Sequence, residues 1–120
     1  MSKENEKLID KLIECYNNHD ARGFADCFAE NVKTYEHPNI LAQNSREEIY
    51  ENYVKVFEMR PNNRTTLMHR IVIGNRIIDH EKVNREIDDE PFDAIAIYEI
   101  ENNLIKRFDL VRNTENILIK

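Results

Sequence analysis

Gly74-Asn75 is the feature that most restricts how this chain can fold. The pair separates two long stretches, residues 64–73 and 76–86, rich in β-branched side chains. Glycine first in a two-residue loop suits a type II′ turn, whose twist matches that of antiparallel strands. The turn predicts a hairpin with Ile73 opposite Arg76, Arg70 opposite Asp79 and Met68 opposite Glu81. Alternation then puts Met68, Arg70, Val72, Ile77, Asp79, Glu81 and Val83 on one face.

The rest of the second half continues in strands. Asp88-Asp89-Glu90-Pro91 is a turn before a strand over 92–100, and Glu101-Asn102-Asn103 turns into another over 104–112. The tail from Asn113 to Lys120 extends that strand or covers an edge. The first half has a different period. Leu8, Ile9, Leu12, Ile13 and Tyr16 recur at spacings of three and four, so a helix capped by Ser2 runs to about Asn18. Asp20 caps a shorter helix carrying Phe24, Cys27 and Phe28 on its inner side. Val32 to Tyr35 forms a short strand, ended by His37-Pro38-Asn39. Ser45-Arg46-Glu47-Glu48 is a capping box that opens a third helix, and Pro61-Asn62-Asn63 stops it. Three helices followed by a strand meander make an α+β fold, with helices on one sheet face.

The 120 residues suit one domain, 1–120, with no linker or repeat. A net charge of −6 lacks the basic footprint that a phosphate backbone requires, so the chain is not read as a nucleic-acid binder. Apolar runs such as Ile71–Ile73 are far too short to cross a membrane. The charged N-terminus has no apolar leader core, and the two cysteines, Cys15 and Cys27, have no metal-ligand spacing. These features predict a cytoplasmic protein with reduced, core cysteines. Phosphate loops, dinucleotide fingerprints and zinc motifs are missing, so no cofactor and no metal are expected.

The order of elements resembles the ketosteroid-isomerase/nuclear-transport-factor-2-like superfamily, in its SnoaL-like (polyketide-cyclase-like) branch. The likeness is carried by Tyr16-Asn17-Asn18-His19-Asp20, Phe24 to Val32, Tyr35-Glu36-His37-Pro38, Arg46-Glu47-Glu48-Ile49, Arg70 to Asn75 and Ala96 to Ile100. It implies a cone, three helices packed on a curved, mostly antiparallel sheet, enclosing a pocket for a small molecule. It also allows the isomerase chemistry to be checked by position. The family's carboxylate base falls on His37, its tyrosine donor on Leu12 and its protonated aspartate donor on Ala96, while Tyr53 matches a supporting tyrosine. With both oxyanion donors replaced, the resemblance argues against a steroid isomerase.

Other groups remain for acid/base work. The resemblance points Asp79, Glu81 and Val83 into the cone, where burial raises a carboxyl pKa and Arg70 keeps its partner ionised. The alternative is a cross-strand salt bridge on a solvated face. His37 is suited by its imidazole to act as a general base or hydrogen bonder at a pocket mouth, or it is a loop histidine bonded to backbone. Asp79, Glu81 and His37 are thus the candidate acid/base groups. Arg70, Arg112, Tyr16, Tyr35, Tyr53 and Phe108 are the candidate substrate contacts, with Phe108, Leu110 and Arg112 on the inner side of the last strand. Asp109 is a rival acid if the register slips by one residue, which flips every side chain. His69 and His80 fall opposite each other on the outer hairpin face.

Ala94, Ala96 and Tyr98 alternate with Ile95, Ile97 and Glu99. Small residues facing inward leave cavity volume, while isoleucines facing outward need cover, which predicts a homodimer through the sheet. Two functions fit. One is a SnoaL-like isomerase, cyclase or dehydratase working without cofactor on a small organic molecule. The other is a non-enzymatic ligand-binding or assembly domain, favoured if Phe24, Phe28, Phe57 and Phe108 fill the cone.

Overall fold

The computed structural model describes residues 2–112. Three helices, α1 (Ser2–Asn17), α2 (Ala21–Ala25) and α3 (Arg46–Met59), pack on a six-stranded sheet. The strands are β1 (Phe28–Glu36), β2 (Ile40–Gln43), β3 (Arg64–Ile73), β4 (Arg76–Asn84), β5 (Phe92–Glu101) and β6 (Leu104–Arg112). Their order across the curved sheet is β2-β1-β6-β5-β4-β3. Every neighbouring pair is antiparallel except β1 and β6, which run parallel. The expected α+β architecture is what the chain forms.

Local chemistry sets the element ends. Gly74 takes φ +58°, the left-handed value needed at the first position of a type II′ turn. Asn102 and Asn103 both adopt positive φ, as a type I′ turn between β5 and β6 requires. His19, at φ +57°, ends α1, and the amide of Asp20 returns to the Cys15 carbonyl at 2.9 Å. Asp20 caps α2 by accepting the Gly23 amide at 2.9 Å. Ser45 caps α3 by accepting the Glu48 amide at 3.2 Å.

Several sequence expectations need correction. Ser2 is the first helical residue of α1, not the residue before it. The second helix ends at Ala25, so Phe28 opens β1, and its helix-like spacing from Phe24 reflects two elements packing into one core. The Ile105 amide donates to the Cys27 carbonyl at 2.9 Å, which holds the segment in the sheet. Glu48 reaches back to the Asn44 amide at 2.8 Å, one residue beyond the expected partner. Strand β2 was not expected, because Ile40 and Leu41 are exposed and carry no burial pattern. A bulge between Leu67 and His69 pairs Leu67, not Met68, with Glu81. Met68 is therefore exposed instead of sharing the inner face. The tail expectation for residues 113–120 lies outside the described residues.

Ile9, Phe28, Val32, Ile49, Ile77 and Ile105 are fully buried between helices and sheet. Each such side chain stabilises the fold by roughly 1.5–3 kcal/mol relative to exposure. Asn17 pins the end of α1 to β3, donating from Nδ2 to the Thr65 carbonyl at 3.0 Å and accepting the Thr65 amide at 2.8 Å. That clamp fixes how far the helices stand from the sheet beyond the packed core.

Candidate functional site

Between the helices and the inner sheet face lies a cavity of about 420 Å³, within the usual range of small-molecule sites. Its walls draw on α1 (Leu12, Tyr16), α3 (Tyr53, Val56) and Arg60 just beyond it, β1 (Thr34, Glu36), β4 (Glu81, Val83), β5 (Ala94, Tyr98) and β6 (Phe108, Leu110, Arg112). The alanine of β5 supplies room that a larger side chain would fill. Phe24 and Phe108 line the space, whereas Phe28 and Phe57 are buried in its surroundings, so the aromatic side chains leave the cone open.

Glu81 is the acid/base candidate that reaches the wall. Its side chain leans from β4 toward the cavity, 8% exposed, with one oxygen accepting the Thr65 hydroxyl at 3.2 Å. Burial pushes its pKa up to about 7, and the nearby Asp79 charge adds to the rise, while the Thr65 bond and Arg70 pull it partly back. Across the cavity, Asn63 Nδ2 donates to the Tyr16 hydroxyl oxygen at 2.5 Å. That oxygen serves as acceptor there, so this bond does not use the Tyr16 proton. Burial pushes the Tyr16 pKa up to about 12, partly offset by the Asn63 bond, so the group stays a donor. Tyr53 is also held protonated by burial and packs edge-on against Tyr16, with centroids 6.3 Å apart.

The other acid/base candidates sit elsewhere. Asp79 is fully buried beneath α1, gripped by Arg70 at 2.7 and 2.9 Å, and neither residue belongs to the cavity wall. Arg70 instead continues to Asp10 of α1 at 2.8 Å. The pair is a strut between sheet and helix, which corrects the expectation that it shares the cone with Glu81. His37 also stands outside the wall. Its Nδ1 lies 3.0 Å from Asp109 Oδ2, and Asp109 also accepts from Arg107 Nε at 2.7 Å. Burial raises the Asp109 pKa, but these two partners outweigh it and hold the carboxyl below its usual range. Asp109 pairs with Tyr35 across β1 and β6, and the Arg107 guanidinium lies 4.0 Å over the Tyr35 ring. Tyr35 borders the cavity from β1 while its ring packs in this outer cluster. The register does not slip, so Asp109 is no substitute acid.

Arg112 lines the cavity mouth, its guanidinium held by Glu36 at 2.8 and 3.3 Å. Sequence reasoning missed Asn63, Tyr98, Arg60 and Arg85, all of which reach the wall. Tyr98 was legible as an inward residue of β5. The others leave the ends of elements, where alternation and helical period give no direction. On the outer hairpin face His69 and His80 do stack, with centroids 5.7 Å apart, and His80 Nε2 lies 2.7 Å from Asp93.

A helix-on-curved-sheet architecture around one cavity is the nuclear-transport-factor-2-like, or cystatin-like, design. Residues 9–108 match the SnoaL-like domain, and the chain belongs to that family. No protein of curated function matches it in sequence. Among solved structures it is similar to an uncharacterized cystatin-fold protein from Novosphingobium aromaticivorans, at 21% identity and a TM-score of 0.84, covering 93% of this chain and 99% of that one. A candidate ketosteroid isomerase from Kribbella flavida is 15% identical, with a TM-score of 0.79 and coverage of 93% and 79%. An LEH-like epoxide hydrolase from M. tuberculosis is 7% identical, with a TM-score of 0.80 and coverage of 98% and 89%. At these identities the likeness establishes the fold.

Proposed function

We propose that this chain is a single-domain, cofactor-independent enzyme that moves a proton within a small organic molecule, as an isomerase, cyclase or dehydratase. The observation that carries this is Glu81, a buried carboxyl set in the wall of a cavity that the Tyr16 hydroxyl also lines. A carboxyl with a pKa of about 7 is suited to both take and return a proton at neutral pH. In the reaction, ionised Glu81 removes a proton from carbon beside a carbonyl. The C–H electron pair moves into the enolate, whose oxygen accepts the Tyr16 hydrogen bond. In a β,γ-unsaturated substrate the dienolate takes the proton back from Glu81 at the γ-carbon; alternatively the enolate carbon attacks a second carbonyl, whose oxygen takes the Glu81 proton, or a β-hydroxyl departs as water with that proton as the double bond forms. Arg112, Tyr53 and Phe108 orient the substrate. His37, Asp79 and Arg70, which stand away from the cavity, serve the scaffold in this reading. The open cavity favours a ligand over an assembly role for the cone.

Solvent-deuterium exchange into a panel of cyclic ketones and β-keto acids, followed by proton NMR, tests the reaction. The Glu81→Gln protein should lose at least a hundredfold in exchange rate. Exchange by that variant at the wild-type rate removes the proposal.

A homodimer fits the sheet face turned from the helices. Ile71 and Ile73 are 54% and 68% exposed there, in register with Ile78 and Arg76, and Ile78 continues across to Ile97. A second copy of the chain is the occupant proposed. Two free, buried cysteines are in keeping with a cytoplasmic setting.

A further inference from the structure

The charges in the cavity wall run against those of the chain. The protein carries a net −6, yet its cavity is lined by Arg60, Arg85 and Arg112 against only Glu36 and Glu81. Glu36 is already committed to Arg112. Arg60 and Arg85 form no salt bridge with a carboxylate among the described residues. Arg85 instead lays its guanidinium 5.1 Å over the ring of Phe92, another wall residue. We infer that the cavity receives an organic acid, its carboxylate seated between Arg60 and Arg85 beside Arg112 and its apolar body directed toward Tyr16 and Glu81.

Physical reasons support this seat. Half-buried guanidiniums that share one cavity wall repel, and an anion among them relieves that repulsion. The Arg85 pKa is already lowered, first by burial and then by Arg60 and Arg112. Guanidinium forks match the planar carboxylate and bind it with charge-assisted hydrogen bonds. At a pH where Glu81 is protonated, its own charge no longer opposes an incoming anion. The inference rests on the cavity being a ligand site but not on Glu81 performing chemistry.

Isothermal titration of the full chain with decanoate, cinnamate and 2-naphthylacetate, each beside its primary amide, tests it. The acids should bind at least tenfold tighter than the amides at low salt, with the advantage shrinking as salt rises. Arg85→Gln and Arg60→Gln should each reduce that advantage severalfold, and the double variant should abolish it while amide binding persists. Equal binding of acid and amide, no binding by any probe, or an acid preference unchanged in the double variant overturns the inference. Glu81→Gln should keep the preference for acids. A Glu81→Gln protein that exchanges protons normally yet prefers acids would remove the proposed reaction and leave this inference standing.

Discussion

Arg70 holds Asp79 through two parallel hydrogen bonds, Nε to Oδ1 at 2.7 Å and Nη2 to Oδ2 at 2.9 Å, while its remaining nitrogen reaches Asp10 on α1. Asp79 is fully buried, so its charge has no recourse to water. Replacing Arg70 by Met strands that charge and should cost about 3–5 kcal/mol in urea unfolding. Asp79→Asn should cost less, since it buries no lone charge. An Arg70→Met protein as stable as wild type would show that the strut contributes nothing.

Glu81 makes stability depend on pH in the direction opposite to most carboxylates. Its folded pKa of about 7 lies above the ordinary value of 4.5, so the folded chain holds the proton longer than the unfolded one. Stability therefore falls as pH rises from about 4.5 to 7 and levels off above, by up to about 3 kcal/mol for this group. Glu81→Gln keeps the neutral form at every pH. Its melting temperature should match wild type near pH 4, below the unfolded value, and exceed it at pH 8, as read by circular dichroism.

Thr65 tunes the same carboxyl by donating to it at 3.2 Å. Thr65→Val removes the donor and leaves the volume nearly unchanged. The Glu81 titration midpoint should then move upward, by about half to one pH unit. Carbon-13 NMR of the glutamate carboxyls reads this without any substrate, and an unmoved midpoint would show that the hydroxyl does not act on Glu81.

The outer sheet face gives a prediction about assembly. Ile71 is exposed and Ile97 half-buried on that face, and a glutamate at either position places charge in the proposed contact. Light scattering should show a dimer for wild type and a monomer for Ile71→Glu/Ile97→Glu, with helical content retained. A wild-type monomer at micromolar concentration would end the dimer proposal.

Much of this fold is legible in the sequence because its strands carry local signals. Gly74-Asn75 announces both the turn and the Arg70–Asp79 register, and Ser45 with Glu48 announces α3. What escapes is set by distant partners. The bulge that turns Met68 out is invisible in alternation alone. Strand β2 exists because β1 offers it an edge, with Tyr35 facing Leu41, and not because its own side chains seek burial. Of the acid/base candidates only Glu81 reaches the cavity wall, for the same reason. Asp79 and Glu81 share a strand face, but Arg70 ties Asp79 to Asp10 of α1, a contact spanning half of the chain. Arg60 and Arg85 stand just past element ends, where no periodicity assigns a direction.

The parallel pairing of β1 with β6 bears on how the molecule is made. Partners such as Tyr35 and Asp109 are far apart along the chain, and β1 is made well before β6. Until β6 emerges, β1 has no neighbour on that side, and the inner faces of Phe28 and Val32 wait beside an incomplete sheet. Closure of the longest loops must precede the contacts that reward it, which slows folding. A ribosome-bound chain lacking β6 should therefore be a client for chaperones, and the emergence of β6 should be the event that completes both sheet and cavity.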